Sequence, residues 1–254
     1  MERKTIDYPV PALEPQLKRL WSLAFDDSDE AIEQFFGTAY APERCRCVLL
    51  DGQAAAALYW LDTQWDGQRL AYLYAVATHP EFRNRGLCRE LIGDTHKLLT
   101  ALGYDAALLT PAETSLRAMY AGMGYQDCCT VSELSCAAGM PVPIRKIGRE
   151  EYARLRRQLL PEGGVIQEGE NLAYLETYAQ LYAGEDFLLA AVPEDGKLRG
   201  LELLGNTNAA PGILAALGYQ AGTFRIPGED IPFTMFHPLK DGAEPPSYFG
   251  LAFD

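Results

Sequence analysis

The stretch Ala75-Val76-Ala77-Thr78-His79-Pro80-Glu81-Phe82-Arg83-Asn84-Arg85-Gly86-Leu87-Cys88-Arg89 decides how the chain is read. An apolar run stops at His79-Pro80, because proline cannot continue a β-ladder. A short loop with Arg83, Arg85 and Gly86 follows. Leu87, Leu91, Ile92, Leu98, Leu99 and Leu102 then recur at helical spacing. A helix N-terminus leaves backbone N–H groups unpaired and carries partial positive charge, so an anion such as a pyrophosphate fits there. Gly86 lets the backbone come close to the anion, and the arginines add charge-assisted hydrogen bonds. A solvated basic helix start would carry the same Arg-x-Arg-Gly, so the elements around the loop must decide between the two.

Upstream, apolar spacing predicts a helix over residues 13–24, and Asp27 to Glu30 offers N-caps for a second one bearing Ile32, Phe35 and Phe36. Residues 46–50, 54–61 and 70–78 read as strands joined at Asp51-Gly52 and Asp66-Gly67, an antiparallel meander. Downstream of the loop, a strand is expected over 105–109, a helix over about 113–123 ended by Gly124, and a strand over 127–134. The order is helix, helix, three strands, helix, strand, helix, strand. A basic, glycine-containing loop set between a meander's last strand and a helix is a far stronger anion signal than the loop alone.

The chain has 254 residues, 48% apolar and 22% charged, enough for a large core or two smaller ones. Its formal net charge of −13 argues against nucleic acid and anionic membrane as partners. Against that field, the cluster Arg83, Arg85 and Arg89 is a local exception. The start MERKTIDYPVPALEPQ lacks the apolar stretch of a signal peptide, and no window reaches the ~18 apolar residues of a membrane span. A cytoplasmic protein is expected. Cys45, Cys47, Cys88, Cys128, Cys129 and Cys136 lack zinc spacings, with only His79, His96 and His237 to complete a site, so no metal is expected. They read as free thiols of a reducing compartment.

Ala137 to Pro143 reads as a linker, dividing the chain into domains 1–137 and 138–254. Beyond it, helices are expected over 150–160, 172–182 and 211–217, strands over 187–192, 198–204, 220–226 and 233–236, and a last strand-like run over 248–253. The fold class is α+β: a mixed central sheet flanked by helices, plus a second, smaller α+β domain. An internal echo relates the halves. Leu108-Leu109 … Met119-Tyr120-Ala121-Gly122-Met123-Gly124-Tyr125-Gln126 is matched by Leu203-Leu204 … Ile213-Leu214-Ala215-Ala216-Leu217-Gly218-Tyr219-Gln220, which places Leu214 opposite Tyr120. The second half reads as a degenerate copy without the Arg-x-x-Gly loop.

Arg83-Asn84-Arg85-Gly86-Leu87-Cys88, with Ala75-Val76-Ala77 before it, resembles the acetyl-CoA signature Arg/Gln-x-x-Gly-x-Gly/Ala of the GCN5-related N-acetyltransferase (GNAT) family, with some similarity to the Eis-like (enhanced intracellular survival) acetyltransferases. The similarity covers about residues 13–134, and Cys88 departs from the signature's last small residue. The resemblance implies an acyl-CoA N-acyltransferase fold and acetyl-CoA as acetyl donor. It implies that Ala75, Val76 and Ala77 offer backbone hydrogen bonds to the pantetheine arm. Arg83, Asn84, Arg85, Gly86, Leu87, Cys88 and Arg89 would then form the cofactor-binding loop, and Tyr120 would protonate the departing thiolate. A phenol of ordinary pKa ~10 is protonated at neutral pH and suits that task.

The resulting expectation is an N-acetyltransferase acting on a small-molecule or peptide amine by direct attack in a ternary complex. For the base, His79, Glu113, a water chain and the terminal carboxylate after Asp254 stay open, since residues 70–78 hold no acidic side chain. The alternative is a non-catalytic acyl-CoA-binding or interaction module that keeps the fold.

Overall fold

The computed structural model describes residues 3–253. The first half runs β1 (Lys4–Asp7), α1 (Glu14–Phe25), α2 (Asp29–Thr38), β2 (Cys45–Leu50), β3 (Gln53–Trp65), β4 (Gln68–Thr78), α3 (Leu87–Ala101), β5 (Ala106–Leu109), α4 (Leu116–Ala121) and β6 (Gln126–Ala137). The second half runs β7 (Arg145–Lys146), α5 (Arg149–Leu159), β8 (Ile166–Gln167), α6 (Glu170–Tyr178), β9 (Gln180–Ala183), β10 (Phe187–Glu194), β11 (Lys197–Gly205), α7 (Ala210–Leu217), β12 (Ala221–Pro227) and β13 (Ile231–Pro238). Ser28 caps α2 by accepting from the Ala31 amide, and Gly218, at φ 82°, ends α7 as a left-handed residue should.

All the strands belong to one sheet, ordered β1-β2-β3-β4-β5-β13-β6-β12-β11-β10-β9-β7, with β8 pairing β3. The sheet does not break at residue 137. The last strand of each half sits beside the other half: β13 pairs β5, β6 pairs β12, and β6 and β13 pair each other antiparallel at the centre. On either side of that exchange the same unit appears. A hairpin, β3–β4 or β10–β11, leads through a helix to a parallel strand, so β4 lies parallel to β5 and β11 parallel to β12. One apolar core runs through both halves on one face, holding Leu17, Trp21, Phe35, Tyr59 and Tyr72 together with Leu175, Leu188 and Phe249. On the opposite face, Leu87, Leu91 and Ile92 of α3 and Tyr120 of α4 cover Trp60 and Leu73, and α7 covers Leu189, Leu203 and Phe224.

Several expectations change. The echo is displaced by one element: topology sets β11–α7–β12 against β4–α3–β5, not against β5–α4–β6. The sequence agrees, since Ala101-Leu102-Gly103-Tyr104-Asp105-Ala106 and Ala216-Leu217-Gly218-Tyr219-Gln220-Ala221 differ at one place. Between β12 and β13 there is a turn and no helix, so Leu214 is not the counterpart of Tyr120. The helix expected over 172–182 starts and ends earlier and hands over to β9, while α4 begins only at Leu116. Residues 248–253 are not a ladder strand; an isolated bridge joins Tyr248 to Gly164. All six cysteines are free thiols. Among the described residues no helix is long and apolar enough to cross a membrane.

Candidate active site

β4 and β5 pair only through Leu70↔Ala106, Ala71↔Ala107 and Tyr72↔Leu108, then diverge. Past Tyr72, β4 has no partner on that side. On its other side the register with β3 jumps from Tyr59↔Tyr74 to Ala57↔Ala77, leaving Ala75 and Val76 as a bulge. Ala75 takes φ 46°, a left-handed conformation costly for a residue with a Cβ. The backbone of Ala75, Val76 and Ala77 thus borders an open gap at the end of a parallel pair, where open sheets of this kind accept ligands.

The chain leaves β4 at His79. Its Nδ1 accepts from the Glu81 amide at 3.3 Å and caps a 3-10 turn over Pro80–Phe82. Residues Arg83, Asn84, Arg85 and Gly86 then form an exposed loop, with Asn84 at φ 62° and Gly86 at φ 78°. Two left-handed residues turn the chain sharply into α3, whose first intrahelical bond is Glu90 N–H to the Gly86 carbonyl. The amides of Leu87, Cys88 and Arg89 therefore lie before the ladder begins, directed out of the helix end. A Cβ on Gly86 would meet nothing, so the space above it is open.

The side chains of the loop divide. Arg83 Nε donates to the Thr78 carbonyl at 3.3 Å, and the Arg85 guanidinium lies over the Phe82 ring at 5.4 Å. Arg89 reaches away from the loop and donates to the Gly122 carbonyl at 2.7 Å, tying α3 to the end of α4. Burial pushes the Cys88 thiol up to about 11, with Arg89 pulling the other way. It stays neutral near pH 7 and adds no negative charge where an anion would sit.

Tyr120 is 7% exposed, in the cluster formed by Leu87 and Leu91, against which Val76, Phe82 and Cys88 also pack. The structure thus brings Tyr120, the bulge and the loop helix together. Burial first, and the neighbouring Cys88 second, push the Tyr120 hydroxyl above its ordinary value, so it is a held proton at neutral pH. Among the described residues its hydroxyl has no hydrogen-bond partner, which leaves it available to a ligand. Glu113 lies on an exposed loop, its carboxylate accepting from Ser115 at 3.0 Å. Asp254, with the terminal carboxylate, lies outside the described residues.

Sequence reasoning missed the other wall of the gap. Tyr72 and Tyr74 alternate along β4 and face the core away from α3. Tyr72 donates to the Ala252 carbonyl at 2.6 Å and Tyr74 to the Phe253 carbonyl at 3.0 Å. Tyr74 also lies 3.4 Å from the Tyr174 hydroxyl, within an aromatic cluster holding Trp21, Phe35 and Phe253. The period-two spacing of Tyr72 and Tyr74 was the available signal; the second half's Tyr174 and Phe253 had none.

A gap between splayed parallel strands, a bulge beside it, an open glycine loop on a helix N-terminus and a buried tyrosine across from them define an acyl-CoA acyltransferase fold. Residues 10–128 match the family model of the acetyltransferase (GNAT) domain, so the first half of the chain carries a GNAT acetyltransferase domain. No curated protein matches the chain. Among solved structures it is similar to a GCN5-related N-acetyltransferase from Anabaena variabilis (17% identity over 94% of this chain and 73% of that one, TM-score 0.72). One from Kribbella flavida shows 17% identity over 92% and 71% (TM-score 0.70), and Eis1 from Mycobacterium abscessus 12% over 94% and 74% (TM-score 0.68). At such identities the likeness is one of fold, and it spans both halves.

Proposed function

We propose that the chain transfers an acetyl group from acetyl-CoA to a primary amine, the amine attacking the thioester directly within a ternary complex. The observation that carries this reading is the Ala75–Val76 bulge at the end of β4 followed by the exposed Gly86 loop on the α3 N-terminus, with Tyr120 packed in the same cluster as Val76 and Cys88. The amides of Gly86, Leu87 and Cys88 would hold the pyrophosphate, with Arg83, Asn84 and Arg85 around it. Arg89, already engaged with Gly122, would act through the helix rather than on the phosphates. Backbone groups of Ala75, Val76 and Ala77 would align the pantetheine arm, and an amide such as that of Ala77 would stabilise the oxyanion. Tyr120 would give its proton to the leaving thiolate. The second half would shape the amine side through Tyr174 and the carbonyl-bonded segment ending at Phe253.

Isothermal titration with acetyl-CoA tests the first step, and absence of binding at millimolar concentration overturns the reading. Gly86→Glu is expected to abolish binding, because a carboxylate would enter the anion's place in a backbone conformation suited to glycine. Tyr120→Phe is expected to keep binding and lower turnover in a thiol-release assay over a panel of primary amines by about a hundredfold. Normal turnover in that variant would remove Tyr120 from the mechanism. Binding without thiol release across the panel would favour a sensor or interaction module.

A further inference from the structure

Tyr120 sits on α4, six residues long. Such a helix is too short to hold its own orientation, so outside contacts must set it. At its first turn Arg117 donates to the Asp127 carboxylate and to the Pro232 and Phe233 carbonyls, and a second set of contacts holds the last turn, where Tyr120 lies. The Tyr120 carbonyl accepts from the Met123 and Tyr125 amides at 2.8 and 3.2 Å, and the turn closes through Gly124 at φ 92°. There a side chain arrives from the other half of the molecule. His237, on the exchanged strand β13, lies with Nδ1 3.0 Å from the Gly124 carbonyl. A carbonyl only accepts, so His237 Nδ1 carries the proton and donates. The approach is close: a Cβ on Gly124 would lie 2.9 Å from the imidazole ring. The His237 ring stacks on His96 of α3, with centroids 4.2 Å apart and planes 12° from parallel. His96 Nε2 lies 2.8 Å from the Tyr125 hydroxyl, and the Tyr125 ring meets Tyr120 edge-on at 6.0 Å.

We propose that His237 is a positioning residue for Tyr120: from the second half it clamps the turn Gly122–Gly124 against α3 and so fixes where the Tyr120 hydroxyl points. The proposal rests on the reading of Tyr120 as the proton donor. It also gives the strand exchange a use, since β13 brings to this turn a tie at Gly124 that adds to the bond from α3 at Gly122. Arg89 secures the same turn from the loop side, so the turn is held between the anion loop and the other half.

Two readouts test it. In His237→Ala, amide hydrogen exchange over residues 116–126 should speed up about fivefold to tenfold, the worth of one hydrogen bond, with residues 87–101 unchanged. In the thiol-release assay its turnover should fall about tenfold or more while acetyl-CoA affinity by calorimetry stays at the wild-type value. His237→Asn, whose amide can donate from nearly the Nδ1 position, should recover most of both. Unchanged exchange over 116–126 in His237→Ala, or wild-type turnover despite faster exchange, overturns the proposal. Faster exchange in His237→Asn equal to that of His237→Ala also overturns it. Failure of the underlying reading shows separately, as normal turnover in Tyr120→Phe.

Discussion

The units β4–α3–β5 and β11–α7–β12 share one plan and differ in the loop that follows a 3-10 turn and in the side chains where the paired strands part. Both parallel pairs hold for three residues and then part, and both outer strands carry a bulge at the hairpin register. Both 3-10 turns are capped the same way, His79 accepting from the Glu81 amide and Asn206 from the Asn208 amide. In the first unit, Arg83, Asn84, Arg85 and Gly86 then separate the turn from α3. In the second, α7 begins at once after Ala209. The gap between the parting strands is also treated differently. Counting from the last paired residues, Arg225 takes the place of Leu109 and Glu202 that of Tyr74. The Arg225 guanidinium reaches the Leu201 and Gly250 carbonyls across the gap at 3.4 and 3.3 Å. Glu202 is fully buried and binds Arg156, Tyr152 and Tyr248. One scaffold therefore carries an exposed four-residue loop beside its parting strands in the first half, and in the second an arginine that reaches across them beside a buried ion pair.

The difference can be broken most sharply by stoichiometry. Calorimetry should give one acetyl-CoA per chain, and a value of two would mean that the second gap is open after all. Next in size is the buried ion pair. Glu202→Ala leaves the Arg156 guanidinium buried without its partner, and urea denaturation should show a loss of about 3–5 kcal/mol; a loss under about 1 kcal/mol would mean that the ion pair does not hold this half together. The smallest effect concerns acid. Burial, and then the adjacent His237, lower His96 to about 3. The unfolded chain, with histidine near pKa 6.5, then binds the extra proton that the folded chain refuses. This contribution to stability is complete above about pH 6.5 and is lost between there and about pH 3, by at most roughly 1.4 kcal/mol per pH unit. His96→Gln should flatten that slope. Hydrogen exchange at pH 5 should loosen residues 116–126 before residues 210–217, and the reverse order would place the acid-sensitive seam in the other half.

Much of the first half was legible because its signals are local. Asp51-Gly52 and Asp66-Gly67 set the hairpins, His79-Pro80 ended a strand, and Gly86 opened a helix. Ala75 was named for its backbone, but its left-handed φ was invisible, since alanine carries no turn signal. The echo failed by one element for a physical reason: Gly-Tyr stops helices after both α3 and α4, and only strand pairing tells which stop Gly218-Tyr219 repeats. The β13 exchange joins residues more than a hundred positions apart, and no local periodicity encodes such a partner. Residues 248–253 are apolar enough for a strand, yet side chains satisfy their backbone: Gln167 bonds Leu251, and Tyr72 and Tyr74 bond the next two carbonyls.

The exchanged strands also set a schedule for the nascent chain. β5 has β4 on one edge but nothing on the other until β13 has been made, and the carbonyl of Gly124 has no His237 before then. A ribosome that has finished β6 has made every residue of the Arg83–Gly86 loop together with Tyr120, but the sheet edge beside them is still bare. The first half can therefore close only after nearly all of the second has been synthesised, and until that moment an unpaired strand edge is the part of the nascent protein most in need of shelter.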